Sequence, residues 1–171
     1  AGAAHITAVD SRGIISDSRS DLNPEKQALL PYIDATQSGS MADALRGADI
    51  FIGVSRGELL TQQHIESMND NAIIFALANP EPEIMPELAK QAGAAIVATG
   101  RSDFPNQVNN AIAFPGIFRG ALDHSVKQIT DKHKLAAAQA IAALVENPDA
   151  DHIIPSPFDE RVVPLVAAVI Q

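Results

Sequence analysis

The amino-acid sequence predicts an α/β fold built on a doubly wound, mostly parallel sheet, and three features carry that expectation. Residues 72–78 are seven consecutive apolar residues, Ala-Ile-Ile-Phe-Ala-Leu-Ala, the pattern of a strand covered on both faces. Apolar runs at 48–55 and 94–98 are separated from it by segments with helix start and stop signals, so strand and helix alternate. Of the 171 residues 46% are hydrophobic, enough for a sizeable core in a single domain. No apolar run approaches the length of a membrane span.

Composition excludes several function classes. Twelve Lys and Arg against 21 Asp and Glu leave a net charge of −9, which disfavours broad attraction to nucleic acid or to anionic lipid. An anionic ligand would need local backbone donors. With no Cys, no Trp and one Tyr, the chain has no thiolate nucleophile, no Cys-ligated zinc and no aromatic platform for single strands. A cysteine-free chain suits a reducing cytoplasm. The sequence opens on Ala1 rather than Met and carries no charged, cleavable leader, so an engineered or processed product or a piece of a longer protein is expected.

Taken in order, residues 1–4 have the look of a last helical turn. Residues 5–10 read as a short buried strand ending in Asp10. A carboxylate at the tip of the second strand of a dinucleotide-binding fold accepts hydrogen bonds from the adenosine ribose; the alternative is an Asx turn into Ser11-Arg12-Gly13. Arg12 adds a second possibility, reception of a 2′-phosphate. Residues 13–22 are polar and irregular. Asn23-Pro24-Glu25 opens a helix to about residue 30, and Ser40 to Asp43 resembles a capping box for a short helix stopped by Gly47. The glycine-rich G-x-G-x-x-G turn that should precede the first of these strands is absent.

Residues 48–55 form the next expected strand, and Gly53-Val54-Ser55-Arg56-Gly57 matches G-x-S-x-G. In a serine hydrolase the helix follows the serine at once. Here the expected N-cap is Thr61, and no HGGG-type segment is present, so Gly53 is instead expected to admit close approach of a ligand and Ser55 to form a hydrogen-bonding wall. The strand at 72–78 delivers Asn79 to its carboxyl end, where open α/β sheets bind ligands, and Pro80 and Pro82 forbid its continuation. A helix over 84–91 ends at Gly93 and leads to a strand at 94–98. Asn106, Gln107, Asn109 and Asn110 then place four carboxamides in a short window, suited either to recognition of a carboxylate or ring amide or to capping turns. Phe114-Pro115-Gly116 breaks the chain before a helix over 117–122. A long helix over 127–146 and a terminal helix over 158–170 read as scaffold. Glu81 and Glu83, flanked by prolines, read as an exposed turn, and the histidines have no metal-binding spacing.

Gly53-Val54-Ser55, Phe75 to Glu83, Ala98 to Asp103, Asn106 to Asn110 and Phe114 to Gly120, in this order and spacing, resemble the carboxyl-terminal NAD(P)-binding domain of bacterial malic enzymes. The resemblance covers essentially the whole chain, so residues 1–171 are expected to form part of such a domain. It implies a Rossmann-like sheet lacking its first strand and glycine-rich loop. It also implies conversion of malate to pyruvate and carbon dioxide with NAD or NADP and a Mg or Mn ion, in a dimer or larger homo-oligomer. Carried over, Asp10 looks like the ribose acid, and Gly53, Val54 and Ser55 like the cofactor wall. Asn79 and Asn109 look like cofactor contacts, and Asn79 and Asn110 like substrate contacts.

The family's catalytic Tyr and Lys and its metal-binding acids precede the glycine loop, and nothing around Tyr32 resembles the tyrosine motif. This chain alone is therefore expected to be inactive and to need the preceding part of the enzyme. Without the first strand, the strands at 5–10 and 48–55 are expected either to pair directly or to be covered in an oligomer. A non-catalytic nucleotide-binding or oligomerisation module is the alternative from another class, and a different nicotinamide dehydrogenase the enzymatic one.

Overall fold

The computed structural model describes residues 3–171. Of the helical turn expected at 1–4, Ala1 and Gly2 lie outside the described residues, and Ala3 and Ala4 are not helical. The chain then forms a two-residue hairpin, β1 (Val9–Asp10) antiparallel to β2 (Gly13–Ile14). This corrects the expectation of a buried strand over 5–10: His5 and Ile6 are exposed, because the pairing that would have covered them is replaced by a local turn.

Helix α1 (Pro24–Gln27) starts as expected, with Asn23 accepting from Lys26 N and Pro24 in the first turn. Helix α2 (Met41–Leu45) has a reciprocal Ser40/Asp43 capping box, and Gly47 follows at φ +72°. The parallel sheet comes next: β3 (Ile50–Gly53), α3 (Gln62–Glu66), β4 (Ile73–Ala76), α4 (Pro86–Gln91), β5 (Ile96–Thr99). Strand order is β3-β4-β5, with Ile50 opposite Ile73, Gly53 opposite Ala76, and Ala76 opposite Thr99. Thr61 caps α3, six residues beyond Ser55, and Gly93 closes the turn after α4 at φ +100°.

One face of this sheet is covered. Ile74, Ala76 and Val97 pack with Leu45, Ile65, Met68, Ile84 and Ala89 from the helices and loops around them. β3 is not the buried strand expected, since Ile50 and Ile52 are 52% and 66% exposed. Nor does it pair with β1: the hairpin satisfies β1, and among the described residues β3 keeps a free edge. A second apolar cluster lies among α5 (Phe114–Asp123), α6 (Asp131–Ala143) and α7 (Val162–Val169), centred on Ile117, Ile141, Val166 and Ile170.

These helices depart from the expected bounds for local reasons. Pro115 sits in the first turn of α5 and starts that helix instead of breaking the chain. A Thr130/His133 capping box delays α6, and Pro164 is tolerated because it falls in the first turn of α7. Helices α5 and α7 touch closely: a Cβ at Gly120 would stand 2.4 Å from the Ala167 carbonyl oxygen.

The two faces of the sheet predict opposite mutational costs. Ile74→Ala, at a position with 0% exposure, is expected to destabilise by about 2–5 kcal/mol, and Ile52→Ala by no more than about 0.5 kcal/mol. Urea unfolding midpoints measure both.

Candidate functional site

The carboxyl ends of β3, β4 and β5 form a rim, and the residues on it are placed by hydrogen bonds that outlast the sheet. Leu77 N still donates to Gly53 O at 3.0 Å. One residue later the ladder is replaced by a side chain: Glu83 Oε2 accepts from Ala78 N at 3.0 Å, and its Oε1 accepts from Ser55 N at 3.1 Å. Glu83 is fully buried, which corrects its reading as part of a solvent-exposed turn; Glu81 is exposed. Main-chain bonds reinforce the contact, from Glu58 N to Pro82 O at 3.0 Å and from Leu60 N to Glu83 O at 2.8 Å. The loops 53–60 and 78–84 are thus fastened side by side.

Gly53 has a specific reason to be glycine. A Cβ there would lie 2.4 Å from Glu83 Oε1 and 2.7 Å from the Phe51 ring, so the room is taken by the protein's own carboxylate. Val54 projects outward, 78% exposed, and Ser55 is exposed beside it. Asn79 ends the β4 extension in an exposed position and is followed by a cis peptide to Pro80. Its carboxamide engages no partner among the described residues.

The carboxamide window divides. Asn106 is buried, at φ +55°, and donates to Val97 O and Ala150 O while accepting from Ile153 N. It pins the loop after β5 to the segment at 150–153. Val108 N donates to Thr99 O at 2.8 Å, carrying the next residues along the end of β5. Asn109 Oδ1 accepts from Ala111 N and caps a 3-10 turn over Asn110–Ile112. Asn110 is exposed, with no side-chain partner among the described residues. Gly100 lies between Leu77 and Val108, its missing Cβ within 4 Å of both carbonyl oxygens. The stretches ending in Asn79 and Asn109 therefore flank one point at the same end of the sheet.

Asp10 lies on the hairpin, and its acceptor positions are filled. Oδ1 takes Arg12 N and Arg19 Nη1, each at 2.8 Å, while Oδ2 takes Arg19 Nη2 at 3.1 Å and the Lys26 ammonium. The Arg12 bond is the Asx turn weighed above. Arg19 chiefly, then Lys26 and Arg12 N, hold the Asp10 carboxyl well below the usual carboxylate range against the opposing effect of burial. Arg19 does the same for Asp21. Three of the five histidines serve helix or chain ends: His64 and His133 complete capping boxes, and His124 Nδ1 lies 2.7 Å from Ile170 O, while His5 lies 3.3 Å from Asp34. Sequence reasoning missed Glu83 and the inward turn of Asn106. The available signal for the first was Gly53 on the neighbouring loop, where a Cβ would collide with the Glu83 carboxylate.

An open parallel sheet with helices between its strands, and with free amides and glycine-tightened loops at its carboxyl ends, defines a nucleotide-binding α/β domain. Residues 1–162 match the family model described as malic enzyme, NAD binding domain, and the chain belongs to that family. It is 49% identical over 173 residues to the bifunctional malic/malolactic enzyme of Bacillus subtilis, covering 99% of this chain and 42% of that protein. An NADP-dependent malic enzyme of Halomonas elongata is 42% identical, over 97% of this chain and 43% of its own length. The crystal structure of an NAD-dependent malic enzyme from Thermotoga maritima superimposes with a TM-score of 0.92 at 46% identity, covering 97% of this chain and 44% of that one. The chain thus spans less than half the length of these relatives.

Because Asp10 and Asp21 titrate lower in the folded state than in the unfolded chain, acid protonates the unfolded form first. Their contribution to stability is complete above the ordinary carboxylate pKa of about 4 and is lost as pH falls below it. The urea midpoint is expected to drop on acidification from pH ~5 to ~2, and Asp10→Asn to flatten that dependence.

Proposed function

We propose that residues 1–171 form part of the NAD(P)-binding domain of a malic enzyme that converts malate to pyruvate and carbon dioxide. The observation that best supports this is that Leu77 and Val108, which lead to Asn79 and to Asn109–Asn110, flank Gly100, and that among the described residues Asn79 and Asn110 are exposed with no side-chain partner. Bound NAD or NADP supplies the hydride acceptor. Val54 and Ser55 wall the nucleotide, with Gly53 contributing backbone beneath them because its side-chain space is filled by Glu83, and Asn79 and Asn109 contact it from the adjacent strand ends. Asn79 and Asn110 hold the substrate's carboxylate or carbonyl oxygens without exchanging protons, so this chain contributes position rather than acid and base.

Asp10 takes the ribose end of the nucleotide only by exchanging one of its present donors for a ribose hydroxyl. A 2′-phosphate would meet Arg12, Arg19 and Lys26 at the same place. Among the described residues no three His, Asp or Glu side chains gather to hold a metal, so the Mg or Mn of the proposed reaction takes its ligands from the rest of the longer enzyme. The setting is a cytoplasmic homo-oligomer. Among the described residues no helix is long and apolar enough to cross a membrane.

A stripe of exposed apolar residues on α5, Phe114, Phe118 and Leu122, favours a second reading, an oligomerisation module that binds no nucleotide. Titrating NAD, NADP and malate separately into the full-length protein distinguishes them, since such a module binds none. In that protein Asn79→Ala and Asn110→Ala are expected to raise the KM for malate about tenfold, the scale of one lost hydrogen bond to a charged group. Both positions are exposed, so stability should change by no more than about 0.5 kcal/mol. The purified 171-residue chain is expected to form no NAD(P)H from malate; turnover by it alone would refute the division of labour.

A further inference from the structure

Between the exposed Val54–Ser55 loop and the exposed Asn79 lies a carboxylate that no ligand can reach. Glu83 is fully buried, with Oε1 on Ser55 N and Oε2 on Ala78 N. The β3–β4 ladder gives its last main-chain bond at Leu77 N to Gly53 O, and beyond that point two parallel strands entering different loops have no rung to hold them. Glu83 supplies one. We propose that Glu83 is a positioning residue, fixing the separation of the Val54–Ser55 loop from Asn79 so that both meet the same nicotinamide nucleotide. The role rests on the reading of these strand ends as the nucleotide site.

Three features make a carboxylate the group for this task. It accepts on both oxygens and donates on neither, and the two N–H groups it meets lie on different strands. Room for it has been cleared, since any Cβ at Gly53 would fall 2.4 Å from Oε1 and 2.5 Å from Cδ. Its own backbone is held as well, through Leu60 N to Glu83 O and Glu58 N to Pro82 O. Glutamine has the same shape but turns an NH2 toward one of the two donors, leaving that N–H without its acceptor. One loop end is then released while the other stays fixed.

The test uses the full-length enzyme carrying this segment, in wild-type, Glu83→Gln, Glu83→Asp and Ile74→Val forms. NAD and NADP are titrated into each, and deuterium uptake is followed by mass spectrometry. Glu83→Gln is expected to raise the nucleotide Kd about tenfold and to speed exchange in peptides covering 53–57 and 77–79, leaving 96–99 unchanged. Ile74→Val, a loss of one core methyl on the same strand, should lower Tm and leave Kd within about twofold. A folded Glu83→Gln protein with wild-type Kd overturns the role. Should that variant not fold, Glu83→Asp decides in the same way, as it keeps both acceptors on a shorter arm. Failure of both to fold while Ile74→Val folds marks Glu83 as purely structural and overturns the proposal. If wild type itself binds neither nucleotide, the nucleotide site is refuted and the role with it; wild-type binding with unchanged Glu83→Gln affinity refutes the role alone.

Discussion

A desolvated carboxylate that divides its two oxygens between neighbouring strands is the constraint on which the candidate site depends. Oxygens removed from water must be matched with donors or they cost more than the fold can offset. Among the described residues no buried side-chain nitrogen or oxygen lacks a partner. Glu83 meets that demand with main-chain N–H groups at the places where the sheet ladder stops. Gly53, Pro82 and Leu60 are then consequences of its presence, the first making room and the other two sealing the contact. Specificity of backbone placement is obtained here by polar burial, whereas apolar packing alone would leave the loop ends free to slide.

Apolar packing does its work on the covered face and in the helical layer. There Ile74, Val97 and Ala89 hold strands to helices, and Gly116 and Gly120 let α5 and α7 approach to backbone contact. The free edge and outward face of β3 have no such cover. Exposed Ile50 and Ile52 alternate with half-buried Phe51 and buried Gly53, a strand patterned for two covered faces and holding one. A polypeptide supplying a further strand would find both ladder groups and apolar surface in place.

The alternation of strand and helix was legible because it rests on local rules. Capping residues at Asn23, Ser40 and Thr61 and stop glycines at 47 and 93 each act within a few residues. Motif order likewise identified the family. What escaped were properties set by partners distant in sequence. Burial of Glu83 depends on a loop 28 residues earlier, and the inward turn of Asn106 on a segment more than forty residues later. Local sequence marked both as polar turn residues. The strand expected over 5–10 failed for the converse reason, since its apolar pattern was local but the partner needed to make it a strand was not there. Asp10 shows the same limit, as its neighbours in space, Arg19 in an irregular stretch and Lys26 in the first helix, had no motif to single them out.

Asn106 carries one further implication. By clasping Val97 on the sheet and the 150–153 segment that precedes α7, it makes the loop bearing Asn109 and Asn110 a bracket between two separately packed apolar clusters. The placement of these two carboxamides at the rim is thereby tied to the spacing of sheet and helical layer. Changes deep among α5, α6 and α7 that alter this spacing would shift the loop bearing Asn109 and Asn110 without touching it.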